Sequence, residues 1–183
     1  MGLVNMPTMD CYWSKKQYYN YDFIKKHMSR NRFFLLLKML HFNDNENFEQ
    51  DQRLYKIQPL LDMLTKSFKS VYSPGEKLVV DESLITFRGR LLFRQYIPGM
   101  SHKYGIKLYK ICTPNGYTWN LQVYSGKLTN EPEHNHSESI VLKLSRSALQ
   151  CGSTIYADNF YSSVPLAEKL LKEKTLLWYS AKK

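Results

Sequence analysis

Apolar residues recur at helical spacing in the first part of the chain. From Ser29 to Phe42 they fall on one helix face, with Ser29 as the N-cap. From Leu54 to Tyr72 a second apolar stripe continues at the same spacing, and proline stands near its start, where a helix tolerates it. Ser73, Pro74 and Gly75 follow directly and predict the end of this second helix.

After this break the pattern is typical of strands alternating with helices. Thr113 to Gly116 has turn composition and predicts a hairpin between two β-rich segments. The expected strands are 78–80, ended by Asp81 and Glu82, then 104–112, 117–124, 154–157, ended by Asp158, and 176–178. The expected helices are 139–149 and 164–174. The polar stretch 129–136 between them, which contains His and Glu, is interpreted as a solvated loop rather than a metal site.

This order of elements predicts an α/β fold. A hairpin followed by alternating helices and strands favours a mixed sheet with helices on its faces. We expect residues 1–76 to form a helical N-terminal segment and residues 77–183 to form the domain that contains the sheet.

The amino-acid composition limits the classes of partner that the chain can have. The chain has 183 residues, and 26 Lys and Arg against 16 Asp and Glu give a formal charge of +10, which favours a polyanionic partner such as nucleic acid. The longest apolar run, from Phe33 to Leu37, is far too short to span a membrane, so we expect no membrane partner. The three cysteines, Cys11, Cys112 and Cys151, are widely spaced, which is typical of a reducing compartment.

Two acids have positions that suggest chemistry. Asp81 and Asp158 each follow directly on a short apolar strand, and ligands of α/β sheets gather at the carboxyl ends of strands. Two carboxylates that meet there can hold Mg²⁺, or Mn²⁺ in its place, and such ions support phosphoryl displacement. The alternative is that each aspartate only ends its strand or caps a turn.

A dense group of cations follows the first of these acids. These residues can neutralise phosphates, and the tyrosines between them, at 96, 104 and 109, can stack on bases. The alternative is the solvated face of a basic protein. The candidate DNA-binding residues are Arg88, Arg90, Arg94, Lys103, Lys107 and Lys110.

Several of these segments together resemble the catalytic core of piggyBac-type transposases. Residues 80–90 read VDESLITFRGR, followed by YIP at 96–98 and KYGIK at 103–107. The segment 158–163, DNFYSS, is similar to the second acidic motif of that family. Upstream, SRNRF at 29–33 and LHF at 40–42 match its preceding helix.

The resemblance implies an RNase H-like fold with a DDE/D active site. The family cuts DNA at transposon ends and joins it to TTAA targets with a divalent metal, so DNA is the implied partner, with no small-molecule substrate. By motif, Asp81 is the first catalytic acid and Asp158 the second. A homodimer and a nuclear location are expected from the same role.

The resemblance also leaves family features unmatched. The third catalytic aspartate of the family lies well downstream of the second motif, and neither Glu168 nor Glu173 matches it. Relative to full family members the chain reads as truncated at both ends, with an incomplete sheet, and we expect it to be catalytically inactive by itself. The alternatives are a non-catalytic DNA-binding or interaction module and a non-functional relic.

Overall fold

The computed structural model describes residues 4–44, 46, 52–99, 103–126 and 136–179. Contacts within the chain group these residues into two units, 1–48 and 49–183. The predicted domain boundary between residues 76 and 77 stays a prediction. By contacts, α3 (Gln58–Val71) lies in the same unit as the sheet.

The first unit consists of short helical elements around an aromatic cluster. Two 3-10 turns, Met9–Trp13 and Gln17–Tyr19, precede α1 (Asp22–His27) and α2 (Arg30–Lys38). The Trp13 ring lies 5.2 Å from Phe33, and its indole N–H donates to the carbonyl of Met28 at 2.8 Å. The Ser29 hydroxyl accepts from the N–H of Arg32, which confirms the predicted N-cap.

Helix α2 is shorter than the sequence predicted. It ends at Lys38 rather than near Phe42, and its leucines, including Leu36 and Leu37, are about half exposed. Helix α1 was not predicted, because a six-residue segment is too short for a helical period to stand out.

The second unit is built on one mixed sheet. Its strands are β1 (Lys77–Thr86), β2 (Gln95–Tyr96), β3 (Tyr104–Cys112), β4 (Thr118–Val123), β5 (Thr154–Ala157) and β6 (Leu176–Tyr179). The order β4-β3-β1-β5-β6 runs across the sheet, and the short β2 pairs with the same edge of β3 as β4 does. The pairs β1–β3 and β3–β4 are antiparallel, whereas β1–β5 and β5–β6 are parallel. The predicted α/β class with a mixed sheet is therefore confirmed.

The hairpin between β3 and β4 forms where the sequence predicts it. The N–H of Gly116 donates to the carbonyl of Thr113 at 2.9 Å, and the N–H of Thr113 donates to the carbonyl of Tyr117 at 3.0 Å. Gly116 has φ of 88°, which a residue with a side chain rarely adopts.

Two helices cover one face of the sheet. These are α4 (His136–Ser145) and α5 (Val164–Lys172), and a carboxylate of α4, Glu138, pairs with Lys169 of α5. The loop predicted for 129–136 lies outside the described residues except for His136, which opens α4. The buried cluster between these helices and the strands comprises Leu78, Val80, Tyr109, Ile111, Trp119, Ile140, Val141, Leu144, Ala148, Ile155, Tyr161, Leu166 and Leu170.

Helix α3 packs at the β4 edge of the sheet. The Tyr117 hydroxyl donates to the carbonyl of Phe68 at 2.9 Å, and the Tyr72 ring lies 5.0 Å from that of Tyr117. Lys69 lies over the Trp119 ring and donates to the Ser147 hydroxyl at 3.1 Å. Burial there lowers the pKa of Lys69.

Among the described residues no helix is long and apolar enough to cross a membrane. All three cysteines are free thiols, in agreement with the wide spacing of Cys11, Cys112 and Cys151.

The start of α5 offers a test of local stability. The Ser163 hydroxyl accepts from the N–H of Leu166 at 3.2 Å and so caps the helix. We expect Ser163→Ala to lower the free energy of unfolding in urea by about 1 kcal/mol. Ser73→Ala, at an exposed position after α3, is the control and should change it by less than about 0.5 kcal/mol. Equal losses in the two variants would contradict the capping role.

Candidate functional site

Strand β1 runs past Asp81, and this corrects the sequence-based placement of that residue. The strand was expected to end at Val80, but it continues to Thr86, with β3 paired to it throughout. The parallel pairing of β1 with β5 stops at Val79 and Tyr156. Asp81 therefore lies inside β1, just beyond the point where β5 leaves it.

Asp81 and Asp158 nevertheless occupy equivalent positions beyond the last paired residues of β1 and β5. Val79 pairs with Tyr156, and each aspartate is two residues further along its own chain segment. Residues two apart in a strand point to the same face, so Asp81 lies on the face of Val79, opposite the buried cluster, whereas Asp158 begins the turn after β5. Neighbouring strands are about 4.8 Å apart, which allows two such side chains to reach one ion.

Each aspartate has one carboxylate oxygen held by local main chain. Asp81 Oδ1 accepts from the N–H of Glu82 at 2.8 Å. Asp158 Oδ1 accepts from the N–H of Phe160 at 2.8 Å, and the Asp158 carbonyl accepts from the N–H of Tyr161 at 3.1 Å. Both side chains are exposed, so each can present an oxygen to solvent or to a ligand.

Glu82 points to the face of the sheet opposite Asp81. It follows Asp81 directly in β1 and therefore lies on the opposite face, with Leu78 and Val80. Its Oε2 accepts a hydrogen bond from the hydroxyl of Tyr161, and its Oε1 lies 3.4 Å from the ammonium of Lys107. Sequence reasoning gave Glu82 no role, although the alternation of Leu78, Val80 and Glu82 already placed it on the inner face.

Tyr161 is a buried member of this inner group. Only 1% of it is exposed, and its ring lies 6.3 Å from that of Tyr109. Burial raises the pKa of Tyr161 well above its ordinary value, and the hydrogen bond to Glu82 raises it further. Burial, with contributions from Tyr124 and Glu82, also raises the pKa of Tyr109 to about 12. Both phenols therefore keep their protons near neutral pH.

The six predicted DNA-binding cations fall into separate environments. Lys110 is paired with Asp81 across the β1–β3 ladder and lies on the same face. Arg88 and Arg90, in the loop after β1, and Lys103 are exposed. The end of β1 at Thr86 is about 17 Å from Asp81, because five residues each rise about 3.3 Å.

The other two cations are held by neighbouring protein groups. The Arg94 guanidinium donates to the carbonyls of Arg88 and Gly89, both at 3.1 Å, and lies 5.0 Å from the Tyr104 ring centre. The Lys107 ammonium pairs with Glu82 and lies over the rings of Tyr109 and Phe160.

The tyrosines expected to stack on bases differ in exposure. Tyr96 and Tyr104 are about half exposed and contact each other at 4.9 Å. The prediction for Tyr109 is wrong, because its side chain is buried in the core beside Tyr161. A different exposed aromatic, Trp178, lies 6.4 Å from Tyr156 between ring centres and shares the face of Asp81.

A groove of about 460 Å³ opens beside the turn that follows Asp158. Its walls are largely apolar and include Val164, Leu171 and Leu176, together with the acid Glu168. Since no Lys or Arg is among the described residues that line it, phosphate groups are not favoured there.

Comparison with known proteins identifies the family. A family model described as Transposase IS4 matches residues 1–180. The chain belongs to this transposase family, and it is of the piggyBac type. Human PiggyBac transposable element-derived protein 3 is 26% identical over 174 residues, covering 92% of this chain and 29% of the relative. Human PiggyBac transposable element-derived protein 2 is 24% identical over 177 residues, covering 94% of this chain and 30% of the relative.

A solved structure agrees with the sequence relatives. The piggyBac transposase in a synaptic complex with hairpin DNA matches this transposase-family chain with a TM-score of 0.75 and 33% identity. The match covers 83% of this chain and 33% of that one. The chain thus spans about a third of the length of the relatives that it matches.

Proposed function

We propose that the sheet unit of this chain binds DNA across the face that bears Asp81 and Asp158 and holds a divalent ion there, as part of piggyBac-type transposition. The observation that carries the proposal is the parallel register of β1 and β5. It places two exposed carboxylates from distant segments at equivalent positions, each two residues beyond the paired residues Val79 and Tyr156.

The donor set fits Mg²⁺, or Mn²⁺ in its place. Magnesium is bound in many phosphoryl-transfer sites by one or two carboxylates, with water and substrate phosphates completing its coordination. When bound, such an ion polarises a phosphate and lowers the pKa of an attacking hydroxyl or water. Asp81 and Asp158 would hold it, each with one oxygen already oriented by a main-chain N–H.

DNA is the partner that the charge distribution favours. Lys110 stands beside Asp81, and the exposed Arg88, Arg90 and Lys103 continue the basic surface toward the loop after β1. Phosphates that pass over these cations would approach the two carboxylates. The solved relative was captured in a synaptic complex with hairpin DNA, which supports the same partner class here.

We further propose that the chain by itself binds DNA without cutting it. No cluster of three metal-ligating side chains occurs in the part of the chain that the structure describes. Two carboxylates give one ion a partial set of ligands and leave a second ion poorly held. From the family we also propose that the longer protein forms a homodimer in the nucleus. There it would cut DNA at transposon ends and join it to TTAA targets.

A non-catalytic DNA-binding module is the second candidate. The observation that favours it is that the described residues contain no cluster of three metal-ligating side chains, and binding through cations needs no metal. The two candidates differ in whether Asp81 and Asp158 bind Mn²⁺.

The DNA surface can be tested by removing its most exposed cations. We expect Arg88→Ala with Arg90→Ala to lower affinity for a short DNA duplex severalfold. The slope of log affinity against log salt should fall by about two, because two phosphate contacts are lost. Fluorescence anisotropy across a series of salt concentrations measures both quantities.

A matched control removes the same charge elsewhere. Lys172 and Lys174 are exposed and precede β6, whose first residue pairs with Thr154 at the opposite end of β5 from Asp158. Replacing both with alanine should leave the salt slope near that of the parent. An equal decrease in both double variants would indicate that only net charge matters, and the proposed surface would be rejected.

A further inference from the structure

We infer that the hydrogen bond between Tyr161 and Glu82 is a positioning contact that holds the Asp158 turn in register with Asp81. The inference rests on the proposed metal site, and it adds to that site two residues that contact no ion themselves. The role of Tyr161 and Glu82 is to keep the two aspartates aligned.

Main-chain pairing stops before the site. The parallel ladder between β1 and β5 ends at Val79 and Tyr156, two residues short of either aspartate. Asp158 lies in the turn that follows β5, where ladder hydrogen bonds to β1 do not continue. The relative position of the two carboxylates must therefore be maintained by other contacts.

The Tyr161 side chain provides such a contact. The main-chain N–H of Tyr161 donates to the Asp158 carbonyl, and that of Phe160 donates to Asp158 Oδ1, so these residues form one hydrogen-bonded turn. From this turn the Tyr161 ring enters the core, and its hydroxyl donates to Glu82. Glu82 is the residue that follows Asp81, so the contact joins the immediate neighbour of Asp81 to the turn that contains Asp158.

Glu82 is itself fixed on its other side. Lys107 of β3 lies 3.4 Å from Glu82 Oε1 and is placed 5.0 Å from the Tyr109 ring centre and 5.4 Å from that of Phe160. The lysine therefore contacts both the strand that carries Asp81 and the turn that carries Asp158. A carboxylate held from two sides gives the Tyr161 hydroxyl an acceptor with a defined position.

The test removes a single hydroxyl. Tyr161→Phe keeps the ring in the core and changes no charge. We expect amide hydrogen exchange to become faster at Phe160, whose N–H bonds Asp158 Oδ1, and affinity for Mn²⁺ to fall about tenfold, the lower end of the cost of removing a residue that orients a ligand. Exchange is followed by NMR on the full chain, and free Mn²⁺ by electron paramagnetic resonance.

Two further variants separate positioning from general destabilisation. Tyr117→Phe removes a hydroxyl that also links two elements, at a distance from the aspartates, and should leave both readouts unchanged. Glu82→Gln keeps an acceptor for Tyr161 and should leave exchange at Phe160 close to that of the parent. Faster exchange in Tyr117→Phe to the same degree as in Tyr161→Phe would overturn the inference.

The remaining outcomes distinguish this inference from the proposed function. If Tyr161→Phe alters neither exchange nor Mn²⁺ affinity, or speeds exchange while the parent and the variant bind Mn²⁺ equally well, the positioning role is rejected. If exchange at Phe160 rises but the parent shows no saturable Mn²⁺ binding, the contact does position the turn and the metal site of the proposed function is rejected.

Discussion

Replacing Asp81 with asparagine should weaken Mn²⁺ binding by at least about 100-fold, so that the chain no longer shows saturable binding of the ion. Loss of a residue that merely supports a metal ligand costs 10–100-fold in affinity, and loss of a ligand costs at least as much. Asp158→Asn should have the same effect, since each residue supplies one of the two carboxylates. Titration of free Mn²⁺ by electron paramagnetic resonance measures the affinity.

Two controls accompany this prediction. Asp62→Asn removes an exposed carboxylate on α3 and should leave Mn²⁺ affinity unchanged. DNA binding of Asp81→Asn and Asp158→Asn without metal should be at least as strong as that of the parent, because a negative charge is removed from a basic surface. If Asp81→Asn and Asp62→Asn bind Mn²⁺ equally well, the aspartates are not the ligands and the non-catalytic DNA-binding candidate is favoured.

Leu170→Ala should lower the free energy of unfolding by about 2–5 kcal/mol, a large share of the stability of an ordinary domain. Leu170 is 0% exposed and packs against the sheet from α5, so its loss leaves a cavity in the core. Leu171, the next residue, is 62% exposed, and Leu171→Ala should cost less than about 1 kcal/mol. Urea unfolding followed by circular dichroism measures both changes.

The comparison of neighbouring leucines also tests the relic hypothesis. A chain that folds poorly would unfold over a broad range of urea, and both leucine variants would behave alike. A single cooperative transition with a large effect at Leu170 alone would contradict that hypothesis.

Much of the sheet was predictable because its patterns are local. Tyr104 to Cys112 and Thr154 to Ala157 form strands with the predicted boundaries, and the Pro-Asn-Gly turn lies where it was expected. The final strand near Leu176 was also predicted, and it pairs with β5. Each of these segments combines strand-forming residues with clear turn residues on its flanks.

The second half of β1 could not be predicted from local preference. Asp81, Glu82 and Ser83 are weak strand formers, and the pattern therefore indicated a strand that stops at Val80. In the structure β3 pairs with this segment, and Ile85 is placed opposite Ile106. Pairing with a neighbouring strand outweighs local preference here, as is common for β-structure.

The predicted pair of aspartates was argued partly for the wrong reason. Asp158 does follow the end of its strand, whereas Asp81 lies within β1. The register of the parallel ladder gives them equivalent positions, each two residues beyond its last pair, and no local pattern reveals that register. Their role as metal ligands stays a prediction.

The inner contacts of the site were hidden for a related reason. Glu82 and Tyr161 are 79 residues apart, and their hydrogen bond depends on how β1 and the turn after β5 are brought together. The burial of Tyr109 had a sequence signal, because it alternates with Ile111. The polar residues Lys107 and Lys110 on either side obscured that signal.

The most direct measurement of the central claim is paramagnetic line broadening by Mn²⁺ in the isotope-labelled chain. Small additions of Mn²⁺ should broaden the amide signals of Asp81, Glu82, Asp158 and Asn159 first, and Asp81→Asn should remove the effect. Broadening centred elsewhere in the chain, or the same broadening in Asp81→Asn, would contradict the claim.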